Sequence, residues 1–306
     1  MKLSGSSILI TGASGGIGGA MARQLAQRGA SLILVNRDRE KLEAFAAELR
    51  EALNTSVRPE LVEGQLPEKQ GLRQIQPERG GANRRRPATT GGSVWALTGD
   101  LAVPGQAAEV VNQAIEKAGS IDILINCAGV QNFGFFAEES AADTTRLFNV
   151  NTVAPIAMAN AVLPHMLKNG KGQIVNVGSI FGSIGFPCFA TYSASKFALR
   201  GFSEALRREL TGTGVGVTYV APRFTRTAFN RSVVARMANT LKMNQDEPES
   251  VAASVIASIE RDDFDRYLGW PEKLFVRINS ILPRLVDSSL MKQVALMRPF
   301  ATERSR

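Results

Sequence analysis

The feature that most constrains this 306-residue chain lies near its start. An apolar run, SSILITG (6–12), passes directly into the string Thr11-Gly12-Ala13-Ser14-Gly15-Gly16-Ile17-Gly18, and a helical pattern follows from about residue 17 to 28. Glycines serve many ordinary turns, so the string alone says little. Between a first strand and a first helix it has a specific use: Gly12 for a tight turn, Gly16 for close approach of backbone to a pyrophosphate, Gly18 for close helix–strand packing. The helix start adds free N–H groups and the positive end of its dipole, which suit phosphate. A chain that opens this way is expected to build a doubly wound α/β domain.

The remainder keeps the rhythm such a domain needs. Apolar runs at 31–36, 93–98, 121–129, 172–179 and 215–222 alternate with helical patterns near 38–53, 104–118, 141–168 and 190–211. A helix near 248–261 and a short strand near 265–269 complete a single Rossmann-type domain over 1–270, with a parallel sheet of about seven strands. Residues 271–306 read as an amphipathic helical extension. Apolar residues recur at Leu274, Ile278, Ile281, Leu282 and Leu285, then at Val286, Leu290, Val294 and Met297, with Pro283 expected to break the helix. Lys273, Arg277, Arg284, Lys292 and Arg298 are interspersed. One reading packs this extension over a substrate cleft or against a second subunit. The other lays it on anionic lipid at the inner face of the membrane.

Residues 54–93 interrupt the alternation, where a connection of about two to six residues is usual. The segment is rich in Gly, Pro, Gln, Arg and Glu, contains Arg84-Arg85-Arg86, and has no sustained apolar period. Such composition cannot offset its ordering entropy, so a disordered insertion is expected. The stretch RPELVEGQ resembles the in-frame translation of an interspersed bacterial repeat, an acquired passenger; the alternative is a basic interaction loop. The segment also explains part of the net charge of +8: it carries +3 and residues 271–306 carry +4, leaving the body near +1. A nucleic-acid binder would spread basic charge over its folded surface, so none is expected as partner. Two cysteines without paired spacing, Cys127 and Cys188, point to a reducing cytoplasm, and a single histidine, His165, argues against a metal centre. No run of eighteen apolar residues is present, so no membrane span is expected.

Two further motifs carry chemistry. The second apolar run ends in Asn36-Arg37-Asp38-Arg39. NAD-binding sites usually place an acidic side chain there for the ribose hydroxyls. Asn36 followed by Arg37 suits the 2′-phosphate of NADP(H) instead, with Arg39 assisting; NAD(H) is the second choice. The bland reading makes Arg37 a solvated charge and Asp38 a helix N-cap. Near the start of a later helix stands Tyr192-Ser193-Ala194-Ser195-Lys196, whose i, i+4 spacing puts Tyr192 and Lys196 on one face. An adjacent ammonium would lower the phenol pKa and suit it to proton exchange with a substrate oxygen.

In this order, TGASGGIG, NCAG (126–129), FNVN (148–151), GS (178–179) and YSASK resemble the classical short-chain dehydrogenases/reductases, over about residues 5–230 without the insertion. The resemblance implies that Ser179, rather than Ser183, holds the substrate oxygen and that Tyr192 exchanges the proton. It implies that Lys196 also binds the nicotinamide ribose, and that Asn151 anchors a water leading from Lys196 towards solvent. It further implies cofactor contacts from Gly12, Ser14, Gly16, Ile17, Gly18, Asp100, Leu101, Asn126, Gly129, Pro222 and Thr227. A homo-oligomer is expected. Two positions depart from the family pattern: Cys127 stands where a second Asn is common, and Arg223 where a glycine usually follows the proline.

Phe133, Phe181, Phe186, Phe189, Phe224 and Phe229 are candidates for an apolar pocket, with about half of them expected in the core. The sequence thus favours an oxidoreductase of a lipophilic carbonyl or secondary alcohol: long-chain, acyl or steroid-like. The alternative is a cofactor-binding regulator or scaffold that kept the fold and lost turnover.

Overall fold

The computed structural model describes residues 1–56, 92–230 and 232–303. Strands β1 (Ser7–Thr11), β2 (Ser31–Asn36), β3 (Val94–Thr98), β4 (Ile123–Asn126), β5 (Gly172–Val177), β6 (Val215–Ala221) and β7 (Asp265–Tyr267) form one sheet in the order β3-β2-β1-β4-β5-β6-β7. Every pairing is parallel. The order reverses between β1 and β4. At that point a crevice opens beyond the carboxyl ends of the strands.

Period-two alternation sorts each strand between two cores. Ile8, Ile10, Leu32 and Leu34 face helices α1 (Gly16–Gln27), α2 (Arg39–Ser56) and α8 (Pro248–Arg261), meeting Met21, Leu25, Leu42, Val255 and Ile259. Leu9, Ile33, Val35 and Ile174 face α3 (Gln106–Ala118), α5 (Ala154–Lys168) and α6 (Ala190–Glu209), meeting Val110, Met158, Val162 and Leu206. Both faces being covered, the central strands are continuous apolar runs.

Helix α2 runs to Ser56, three residues beyond the expected end near 53. Residues 57–91, most of the expected insertion, lie outside the described residues. The long helix expected at 141–168 is α4 (Ala141–Phe148) and α5 joined by a π-turn over Asn149–Val153. By length and composition that run could cross a membrane, but half of its apolar window is buried in the protein.

Helix α7 (Ser232–Thr240) and a C-terminal pair, α9 (Glu272–Ile281) and α10 (Pro283–Glu303), close the cleft's outer end. The chain turns at Leu282, and Pro283 takes the first position of α10. The apolar face of α10 is buried as its period requires: Val286 and Met297 are inside, with Leu290 and Val294 half-buried. The stripe read on α9 does not behave this way. Val276 is its buried residue and Ile278 is half-buried, whereas Leu274, Ile281, Leu282 and Leu285 are exposed. Asn279 fixes the rotation by donating to the Ser183 carbonyl at 2.9 Å.

Candidate active site

At the switch point the glycine-rich loop and the β4 exit loop are packed without slack. Gly12 has φ +67°, and a Cβ there would lie 2.9 Å from Ala128 Cα. Thr11 ties the same loops: its hydroxyl accepts from the N–H groups of Cys127 and Ala128, each at 3.0 Å. A Cβ on Gly18 would lie 2.2 Å from the Gly12 carbonyl oxygen, so α1 presses directly on the turn. Gly16 has a different neighbour: a Cβ there would meet Thr227 Cγ2 at 2.3 Å, across the cleft. Gly15 caps α1 without any side-chain acceptor, leaving first-turn N–H groups for an anion. This cradle fits a dinucleotide pyrophosphate.

Around the cradle, Asn36 donates to Ser14 Oγ at 2.5 Å, and its carbonyl accepts from the Arg37 N–H at 2.7 Å. Asp38 accepts from the Lys41 N–H at 3.0 Å, capping α2. Arg37 therefore stands clear, exposed, with no ion pair among the described residues. Lys41, one turn along α2, joins it in lining the cleft, whereas Arg39 does not. The sequence reading missed Lys41, although its place four residues after Arg37 was a usable signal. Asp100 and Leu101 line the same end; the Asp100 carboxylate accepts from Ala102 N–H at 3.0 Å.

Asn126 ends the strand whose exit loop borders the cleft. Its side chain does not line the cleft but is buried behind it, donating to Asn176 Oδ1 at 2.9 Å. At the last position of β4, that side chain falls on the covered face of the sheet. Gly129 does line the cleft, as do Ser14, Gly16, Ile17, Gly18, Pro222 and Thr227.

In the other half, Tyr192 and Lys196 stand one turn apart on α6, both buried and both lining the cleft. Burial pushes the Tyr192 phenol up to about 12, with the Ser179 hydroxyl beside it pulling the other way. The expected lowering by Lys196 is absent: its ammonium sits 5.8 Å from the Tyr192 ring centre and donates to the Val177 carbonyl at 3.2 Å. Burial also holds Lys196 down at about 8. Cys127 is pushed up to about 12, chiefly by burial, so it is a neutral thiol lining the cleft.

Ser179 follows β5 and faces the cleft, its hydroxyl accepting from Phe181 N–H at 3.1 Å. Its backbone rests on Tyr219, whose hydroxyl accepts from Ser179 N–H at 3.4 Å and donates to Ser179 O at 3.2 Å. Ser183 turns away, bonded to Tyr267 and Arg200. Asn151, in the π-turn, is fully buried and reaches the cleft only indirectly. It accepts from Val130 N–H at 2.9 Å, donates to Val130 O at 2.9 Å, and donates to Ser195 Oγ at 3.1 Å. It thereby locks the β4 exit loop to α6. Neither Tyr219 nor Thr11 had a local signal, since each acts across strands.

A cleft of about 800 Å³ joins the two halves. Phe181, Phe186, Phe189, Phe224 and Phe229 line it, while Phe133 stands behind, 5.2 Å from Phe189 between ring centres. Phe275, Ile278, Leu285 and Leu290 of the C-terminal pair add an apolar wall that the sequence reading did not assign residue by residue. Arg223 is not in the left-handed region, so its backbone needs no glycine. Its guanidinium, at the cleft wall, pairs with Asp246 and Glu272.

The family described as short chain dehydrogenase matches residues 6–75 and 69–238. The chain is 29% identical over 291 residues to "Ketoacyl reductase HetN" of Nostoc sp., covering 93% of this chain and 88% of that protein. A short-chain dehydrogenase from Sphingobium yanoikuyae in complex with NADPH superposes with TM-score 0.69 at 28% identity, covering 94% and 95% of the two chains. A short chain dehydrogenase/reductase from Burkholderia phymatum in complex with NAD shares the fold at TM-score 0.74 and 22% identity, covering 97% of each. With its parallel seven-stranded sheet and the matched motifs gathered along one cleft, this chain belongs to the short-chain dehydrogenase/reductase family, oxidoreductases that act on CH–OH and keto groups with a nicotinamide cofactor.

Proposed function

We propose that this enzyme is an NADP(H)-preferring reductase of lipophilic ketones, long-chain or acyl in character. The observation that carries the cofactor choice is the pair Arg37 and Lys41 at the end of β2: two exposed cations line the cleft, and position 36 holds no acid. A guanidinium and an ammonium together suit a phosphate dianion on the ribose. The apolar wall from Phe181 to Leu290 supports the substrate class, as does the likeness to a ketoacyl reductase of Nostoc.

The nicotinamide cofactor, when bound, supplies the hydride. The chain's own residues handle the oxygen. Ser179 holds the substrate carbonyl by its hydroxyl, and Tyr192 donates the phenolic proton to that oxygen as charge develops on it. With its pKa raised to about 12, Tyr192 carries its proton throughout the neutral range, the state that a proton donor to a carbonyl oxygen needs. Lys196, one turn away, binds ribose and returns a proton to Tyr192. Asn151 holds the loop and helix that frame this relay. A scaffold without turnover has less support, because Ser179, Tyr192 and Lys196 all face one cleft.

The test is oxidation of NADPH and of NADH against a long-chain ketone, a 3-oxoacyl thioester, a polycyclic ketone and a short keto-sugar. Faster turnover with NADPH on the first three is expected. Preference for NADH would sink the cofactor reading, and turnover confined to the keto-sugar would sink the substrate reading.

A further inference from the structure

Large apolar side chains are exposed along the C-terminal pair, from the segment before α9 to the first turn of α10. Trp270 is 70% exposed, Ile281 76% and Leu285 61%, with Leu274, Phe275 and Leu282 between them also exposed. Six exposed large apolar side chains within sixteen residues of chain form the densest such group along the described sequence, as a contact surface would. It is continuous with the cleft: Phe275 and Leu285 belong at once to the patch and to the cleft lining, so the cleft mouth opens through it.

Charge identifies the occupant. Lys273, Arg277, Arg284 and Lys292 are exposed on the same two helices, with no ion pair among the described residues. Of the pair's three acids, Glu272 pairs with Arg223 and Glu303 with Arg236, leaving the exposed Asp287 against four exposed cations. Unpaired cations beside protruding Ile, Leu and Trp suit a surface that is anionic outside and hydrocarbon a few ångströms in. A second copy of the chain would offer the same cations to one another.

We propose that the α9–α10 hairpin docks on an anionic lipid bilayer, placing the cleft mouth at the lipid surface. Delivery of substrate by this route rests on the lipophilic-ketone reading; docking itself does not, and is measured without substrate.

The full chain is mixed with phosphatidylglycerol or phosphatidylcholine vesicles and sedimented. Association with the anionic vesicles only is expected, released at about 1 M salt, where screening reaches in to about 3 Å. Trp270 emission shifts to the blue and is quenched by brominated lipid. Arg277→Gln with Arg284→Gln weakens association about fivefold per charge, roughly twenty-five-fold together. Ile281→Asp with Leu282→Asp weakens it at least about tenfold. Neither pair lines the cleft, so both variants keep their melting temperature and their turnover of a short soluble ketone. Should the aspartate pair fail to fold, the glutamine pair carries the test. No association with anionic vesicles, or equal association with both lipids that ignores the arginines, overturns the proposal. A dimer dissociated by Ile281→Asp and Leu282→Asp, without vesicle binding, assigns the patch to self-association and also overturns it.

Discussion

Arg223 grips Asp246 with two prongs, Nε to Oδ2 at 3.0 Å and Nη2 to Oδ1 at 2.8 Å, with the two side chains 18% and 19% exposed. Its remaining nitrogen reaches Glu272 Oε2 at 3.0 Å, at the start of α9. One side chain therefore fastens the loop after β6 to the segment before α8 and to the C-terminal hairpin.

Arg223→Ala leaves two carboxylates facing each other without a cation. Because the cluster is partly solvated, the expected loss is roughly 1–3 kcal/mol of stability, read by urea unfolding. The Michaelis constant for a bulky ketone should rise, since α9 lines the cleft, while cofactor affinity changes little. Unchanged stability and kinetics would show that the clasp is idle.

Tyr192→Phe should cut turnover by about a hundredfold or more and leave NADPH binding, followed by fluorescence, within a few-fold of the parent. Only the transferable proton is removed. A variant that retains a substantial part of its rate would place the proton donor elsewhere.

The buried lysine makes a pH signature. The folded-state pKa of Lys196 lies at about 8 against an ordinary 10.5, so between these values the unfolded chain binds the extra proton. Stability from this group therefore rises with pH across that window, by about 3 kcal/mol in all. Tyr192, raised to about 12, works oppositely above pH 10. The urea-unfolding difference between parent and Lys196→Met, followed from pH 8 to 10, should change in the parent's favour. A flat difference would mean that Lys196 is solvated in the folded protein.

Arg37→Ala should weaken NADP(H) roughly ten- to a hundredfold and NAD(H) hardly at all, as loss of a charge-assisted bond does. Lys41→Ala should act in the same sense, and titration of both cofactors separates the effects. Equal loss for the two cofactors would remove the 2′-phosphate assignment.

What the sequence made legible was local or periodic. The strand runs from β1 to β6 and the i, i+4 pair on α6 announced themselves through spacing alone. The π-turn over Asn149–Val153 did not, because one extra residue in a helix leaves no apolar signature. The burial of the Asn126 side chain was not legible either, because a motif position does not say on which face of the sheet a side chain falls. Helix α9 was read as an ordinary amphipathic helix. Its inward rotation is set by Val276 and Asn279, and the larger apolar residues were left outside. Long-range supports such as Thr11 and Tyr219 emerge only when distant strands are neighbours.

Tyr219 has a consequence for the history of such chains. A Cβ on Gly178 would lie 2.2 Å from its ring and hydroxyl, and one on Gly182 would lie 2.4 Å from that hydroxyl. The two glycines and the tyrosine therefore cannot be exchanged in any order. A lineage that replaces either glycine must first shorten the side chain at 219, and one that acquires tyrosine there must already hold both glycines. Drift at these three positions is thus ordered, with the bare loop coming before the ring that fills it.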